Sequence, residues 1–179
     1  MQRSLFYGVV NTIMLNAKLI FIDTEFSTLD PYKGEILAIG MVKEDGEELY
    51  LELECNAPCN GWVIKNILPT LTQEKVSREV AKKLICDFVG GDQPVMVGFV
   101  NQFDTIYLYK LFSSPDTPFF WVPLDFASML FTRGYDPEDY MGEGKLFREL
   151  GVDNKKYQLH NALDDAKLLR ETYLALKPL

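Results

Sequence analysis

Asp23 and Glu25 stand two residues apart at the end of an apolar run, "KLIFIDTE" (Lys18 to Glu25). Side chains of a strand alternate between its two faces, so a strand here turns both carboxylates the same way. Two acids on one face of a buried strand are costly unless something compensates their charge. The alternative is that the strand has already left the core and both are solvated. A third acid, Asp104, follows the apolar run "PVMVGFV" and opens a helical stretch, "DTIYLYKLF". An acid there is favoured by the helix dipole alone. Yet Asp104, Leu108 and Leu111 fall at i, i+4 and i+7, on the apolar stripe that must face the sheet.

The chain's one histidine, His160, lies in "HNALDDA", just before two adjacent aspartates. At about 100° per residue, Ala162, Ala166, Leu169, Tyr173 and Leu176 share one side of a closing helix that starts near Asn161. Asp165 lies about 60° from the middle of that stripe and Asp164 about 160° away, so Asp165 points inward and Asp164 toward water. The two alanines would let the helix approach the sheet closely. His160 precedes the helix and is not locked into its phase. On the plainer reading Asn161 caps the helix and His160 is only its neighbour.

If Asp23, Glu25, Asp104 and Asp165 meet, they cannot all stay ionised without cations. Charged oxygen ligands select Mg²⁺ or Mn²⁺ over zinc. Two such ions about 4 Å apart can clamp a phosphodiester and stabilise both its attacking and leaving oxygens. An imidazole, with an ordinary pKa of about 6.5, is suited to take the proton from the attacking water. The parts fit metal-dependent hydrolysis of a phosphate ester.

The ordered set resembles the DEDD-type 3′–5′ exonucleases, the superfamily of proofreading exonucleases, RNase T and oligoribonuclease, in its His-containing (DEDDh) branch. D-x-E matches Asp23 and Glu25, an aromatic-Asp pair matches Phe103-Asp104, and H-x4-D matches His160 and Asp165. The motifs span most of the chain. The resemblance implies a ribonuclease H-like fold. It also implies two Mg²⁺ (or Mn²⁺) held by the four acids, His160 as general base, and hydrolysis of nucleotides from the 3′ end of single-stranded RNA or DNA. It offers Phe26 and Leu29 as contacts to the terminal nucleotide, by stacking and by wedging; either residue could equally pack in the core. Two positions depart from the pattern. The Asn usual four residues before the second-motif Asp is replaced by Val100, with Asn101 one place closer. The usual D-x-E-T-T-G-L run reads "DTEFSTL".

The elements that must position these groups can be read around them. "EILAIGMVKE" and "EELYLELE" are strand-like and joined by the turn signal "EDG", a hairpin. "TLTQEKVSREVAKKLICDFVGG" has helical spacing at Val76, Val80, Leu84 and Phe88, with Thr72 as N-cap and Gly90-Gly91 as stop. "PFFWVPLDF" reads as a further strand, followed by helices from about Ala127 and at "GKLFREL". The expected fold is α/β, a mixed sheet that begins as an antiparallel meander and is flanked by helices. Residues 1–17 form a lead-in, either a strand or a loosely held arm, and 18–179 one exonuclease-like domain. The signal-peptide look of the lead-in is weak, because Asn11 and Thr12 break its apolar run.

With 18 basic against 26 acidic residues, the net charge is −8. That disfavours a broad basic surface gripping long nucleic acid. It suits short or single-stranded ends and tilts the expectation slightly toward RNA. No apolar run is long enough to span a bilayer. Cys55, Cys59 and Cys86 complete no zinc site and read as thiols in a reducing cytoplasm. Lys145, Arg148, Lys155 and Lys156 form a solvated face or reach substrate phosphates. A length of 179 residues leaves no room for a polymerase or helicase module, so the chain is expected to act alone or as a separate subunit. Analogy with related enzymes allows a homodimer. The alternatives are a non-catalytic nucleic-acid-binding or regulatory protein on the same fold, and a phosphatase or nucleotidase acting on small esters.

Overall fold

The computed structural model describes residues 17–142 and 145–176. The expected lead-in lies, apart from Ala17, outside the described residues. Five strands form one sheet in the order β3-β2-β1-β4-β5. The strands are β1 (Leu19–Phe26), β2 (Ile36–Lys43), β3 (Glu48–Glu52), β4 (Val95–Gly98) and β5 (Leu124–Asp125). β1, β2 and β3 pair antiparallel, and Gly46 takes the positive φ of 96° that the β2–β3 turn requires. β4 and β5 add parallel strands beyond β1.

The helices are α1 (Gly61–Asn66), α2 (Arg78–Val89), α3 (Gln102–Phe112), α4 (Phe126–Thr132), α5 (Lys145–Leu150) and α6 (Ala162–Leu176). They cover both faces of the sheet, which is why β1 is apolar on both sides. Ile20 and Ile22 pack under α2 and α3 with Ile85, Tyr107 and Leu108. Leu19 and Phe21 pack under α4, α5 and α6 with Phe126, Leu146 and Leu169. This is the mixed α/β, ribonuclease H-like sheet expected, with the meander first.

Three elements differ from the sequence reading. The helix expected from Thr72 begins at Arg78, capped by Ser77. The cause is β3: Glu52 takes the main-chain N–H of Thr72 and of Gln73, and Val76 forms a parallel bridge with Leu53. Both interactions hold residues 72–76 out of a helix. The buried face of α2 is accordingly Ala81, Ile85 and Phe88, while Val80 is exposed. The strand read in "PFFWVPLDF" shrinks to Leu124–Asp125. Helix α1 was not anticipated; Asn60 caps it and Val63 anchors it.

Candidate active site

Period-two alternation puts Asp23 and Glu25 on the face of β1 that carries Leu19 and Phe21, toward α6. Opposite Asp23 in β2 is Gly40, where a Cβ would come within 2.1 Å of the Ala162 carbonyl oxygen. The start of α6 therefore rests on bare backbone, and Ala162 and Ala166 are fully buried. This close approach brings Asp165 over β1. Asn161 Oδ1 accepts from Asp164 N at 3.2 Å and so caps α6. Asp164 turns away: it accepts from Gln158 N and lies 3.9 Å from Lys167.

Asp104 arrives from the other side. It starts α3 just after β4, on the buried stripe with Tyr107, Leu108 and Leu111. Gly98 makes room, since a Cβ there would lie 3.3 Å from Asp104 Oδ2. Thr24, on the opposite face of β1 from Asp23, donates to Asp104 Oδ1 at 2.5 Å. His160 sits at φ 63°, a left-handed conformation uncommon for a residue with a side chain. Asp165 Oδ2 accepts its main-chain N–H at 2.9 Å.

Asp23, Glu25, Asp104, His160 and Asp165 line one cleft of about 400 Å³. Side-chain ligand atoms of Glu25, His160 and Asp165 all lie within 4.8 Å of one another. Among the described residues no lysine or arginine lines the cleft. The crowding appears in the proton affinities. Burial, then Asp165 and Asp104, push Glu25 from its ordinary 4.5 to about 8. Burial, then Asp165, Asp104 and Glu25, hold Asp23 well above the usual carboxylate range. Burial raises Asp104 to about 7 against the hydrogen bond from Thr24, and Asp165 to about 7 against the bond from His160.

This donor set fits divalent cations. Oxygen ligands are what Mg²⁺ and Mn²⁺ prefer, and among the described residues no lysine or arginine in the cleft competes for the charge. Asp23, Glu25, Asp104 and Asp165 are the residues that would hold them.

Phe26 stacks on Tyr107 with centroids 4.2 Å apart, packs against the core and also lines the cleft. Leu29 is 61% exposed and lines a second cavity of about 400 Å³ with Phe26, Trp62 and Val63. Val100 lines the main cleft at φ 54°, and Asn101 is buried behind it against Gly98. Lys145 and Lys156 pair with Glu149 (3.0 Å) and Glu171 (2.6 Å). Neither they nor Arg148 and Lys155 line the cleft.

Several site residues carried no sequence signal of their own. Tyr140 lines the cleft from a single 3₁₀ turn; burial and the charges of Asp165 and Asp23 push its phenol far up. Trp62 stands edge-on to His160. Thr24, the middle residue of D-x-E, carried none either, although it donates to Asp104.

A ribonuclease H-like sheet defines a class when its central strand carries D-x-E and two helix starts bring an aspartate each to that strand, one with a histidine beside it. That arrangement resembles the DEDD-type 3′–5′ exonucleases. Comparison with known proteins points the same way. The chain is 28% identical over 177 residues to "DNA polymerase III subunit epsilon" of Rickettsia prowazekii (strain Madrid E), covering 91% of this chain and 75% of that one. The fold overlays on "Exonuclease I (apo)" with a TM-score of 0.66 at 14% identity, over 90% of this chain and 42% of that one. It overlays on zinc-bound E. coli Exonuclease I in complex with single-stranded DNA with a TM-score of 0.64 at 15% identity, over 90% and 41%. The chain thus spans about two fifths of the Exonuclease I chains it overlays. No known family's sequence model matches it. In sequence and fold the chain is thus similar to 3′–5′ exonucleases of the DEDD type, a class of hydrolases.

Proposed function

We propose that the chain hydrolyses single-stranded nucleic acid from the 3′ end, using two divalent ions held by Asp23, Glu25, Asp104 and Asp165 and His160 as general base. One observation carries this reading: four crowded carboxylates and the chain's only imidazole line one cleft, with no lysine or arginine among the described residues that line it. Bound there, the ions would stabilise the attacking and leaving oxygens of the phosphodiester. His160 then takes a proton from water as the water oxygen bonds to phosphorus, and the bond to the 3′ oxygen of the preceding nucleotide breaks. Phe26 and Leu29 face the second cavity, whose apolar walls suit a terminal base.

The acidic surface alone tilts toward RNA. The names of the relatives, a DNA polymerase subunit and an exonuclease crystallised with single-stranded DNA, favour DNA, and DNA is the substrate we put first. The free thiols suit a reducing cytoplasm. Among the described residues no helix is long and apolar enough to cross a membrane.

The test is digestion of 5′-labelled DNA and RNA oligonucleotides of one sequence with Mg²⁺ or Mn²⁺. A ladder shortening from the 3′ end, abolished by EDTA and lost in His160→Ala, is the expected result. Tight binding without cleavage would instead indicate a binding protein on this fold. Cleavage of a chromogenic phosphate ester alone would indicate a phosphatase.

A further inference from the structure

We infer that the segment from Asn60 to Gln73 is a jig for the His160 imidazole, with Trp62 and Thr70 as positioning residues; this rests on the hydrolytic reading above. The segment is fixed at both ends. At one end Asn60 N donates to Ser27 O at 3.0 Å, just beyond β1, and Asn60 Oδ1 accepts from Val63 N at 2.9 Å. At the other end Glu52 Oε1 accepts from Thr72 N at 2.7 Å and Gln73 N at 3.0 Å. Between these anchors Val63 and Ile67 are buried against Leu37 of β2.

Two groups reach His160 from this fixed frame. The Trp62 indole meets the imidazole at 89°, with ring centroids 5.0 Å apart. The Thr70 hydroxyl shares its one proton between the Ile67 carbonyl oxygen at 2.8 Å and the His160 carbonyl oxygen at 3.2 Å, and so ties His160 to the end of α1. His160 needs such support. Its positive φ is unfavourable for a side chain and persists only where the surroundings enforce it. Asp165 holds its N–H, Thr70 its carbonyl and Trp62 its ring. Packing alone does not explain the tryptophan, which is 54% exposed. A general base works only within hydrogen-bond reach of its proton, so a ring free to swing away loses rate and not substrate affinity.

The test is a split of kcat from KM on a single-stranded DNA oligonucleotide with Mg²⁺. Trp62→Leu should lower kcat about tenfold or more, with KM changed less than about threefold. Trp62→Phe, which keeps an aromatic ring, should restore most of the rate. The losses from Trp62→Leu and His160→Ala should be far from additive, since both act through one imidazole. Thr70→Val, nearly isosteric, should give the same pattern at smaller size and serves if Trp62→Leu does not fold. A readout without turnover is the nuclear Overhauser effect between indole and imidazole protons, identifiable because the chain has one histidine. A raised KM at full kcat would make Trp62 a substrate contact and overturn the proposal; additive losses or a missing indole–imidazole effect would do the same. A wild-type chain that leaves oligonucleotides intact refutes the nuclease reading instead, whatever Trp62 does.

Discussion

Two places on one face of the sheet take in carboxylates, and they treat them differently. Glu25, Ala38 and Glu52 are neighbours across β1, β2 and β3, so both glutamates point to the same side. Glu52 is buried; its Oε1 accepts from two main-chain N–H groups and from the Tyr50 hydroxyl, while its Oε2 has no partner among the described residues. It fastens residues 72 and 73 to the sheet. Two strands away, Asp23 and Glu25 share their space with Asp104 and Asp165, and for both every influence on the proton pushes upward. A structural acid is supplied with donors by its own fold. The acids around β1 are set among one another: Thr24 donates to Asp104 and the His160 N–H to Asp165, but no lysine or arginine among the described residues of the cleft offsets their shared charge.

The largest test of this contrast is Asp23→Asn. If the acids exist to hold cations, losing one should reduce exonuclease turnover by roughly 10³-fold, the scale for removing a group that stabilises transition-state charge. The same substitution removes a carboxyl group whose ionisation burial and its neighbours oppose, so the metal-free variant should melt higher than wild type at pH 8. Loss of activity with gain of stability separates a ligand from a structural residue. A drop in both would put Asp23 in the same role as Glu52.

Next in size is the pH dependence of metal-free stability. Glu25 stands near 8 and Asp104 and Asp165 near 7, against ordinary values of 4.5 and 3.8. Between these limits the native state holds more protons than the unfolded chain, so stability falls as pH rises. It is greatest below about pH 4 for these groups and is lost through pH 7 to 8. Melting in EDTA from pH 5 to 8 should show that decline, and Mg²⁺ or Mn²⁺ should reverse it at pH 8 while doing little at pH 5. A flat profile in EDTA would break the contrast.

How far the sequence reached follows the same division. The acids were legible because each sits on a regular element: strand alternation aligns Asp23 with Glu25, and helical phase turns Asp104 and Asp165 inward and Asp164 outward. The meander and the parallel additions followed from apolar runs and the "EDG" turn. What escaped depends on contacts distant in sequence. The start of α2 was misplaced because Glu52 captures Thr72 and Gln73, an interaction spanning 20 residues that no local pattern contains. Trp62 and Tyr140 come from a six-residue helix and a 3₁₀ turn, too short to show periodicity. Gly40 reads as an unremarkable strand residue until α6 is laid across it.

Glu52→Ala tests the other half of the contrast at smaller magnitude. It leaves two main-chain donors without their acceptor and should cost about 1–3 kcal/mol of stability. Urea unfolding measures it, and the decline of metal-free stability between pH 5 and 8 should persist. If the decline vanished instead, Glu52 would belong to the same electrostatic group as the acids around β1.

The smallest expected effect is the most discriminating, because it alters a donor and no carboxylate. Thr24 gives Asp104 its side-chain hydrogen bond, which holds the proton affinity of that acid down against burial. Thr24→Val keeps the shape of the side chain and removes the donor. Asp104 should then take up its proton at higher pH, and since only the ionised carboxylate binds a cation, Mg²⁺ affinity should fall more at pH 7 than at pH 8.5. A loss of about threefold to tenfold at the lower pH, recovered at the higher, corresponds to one hydrogen bond to a charged group. Calorimetric titration at the two pH values decides it. An equal loss at both would mean that Thr24 places the carboxylate and does not tune it. The acids around β1 would then be preorganised by geometry alone, as Glu52 is.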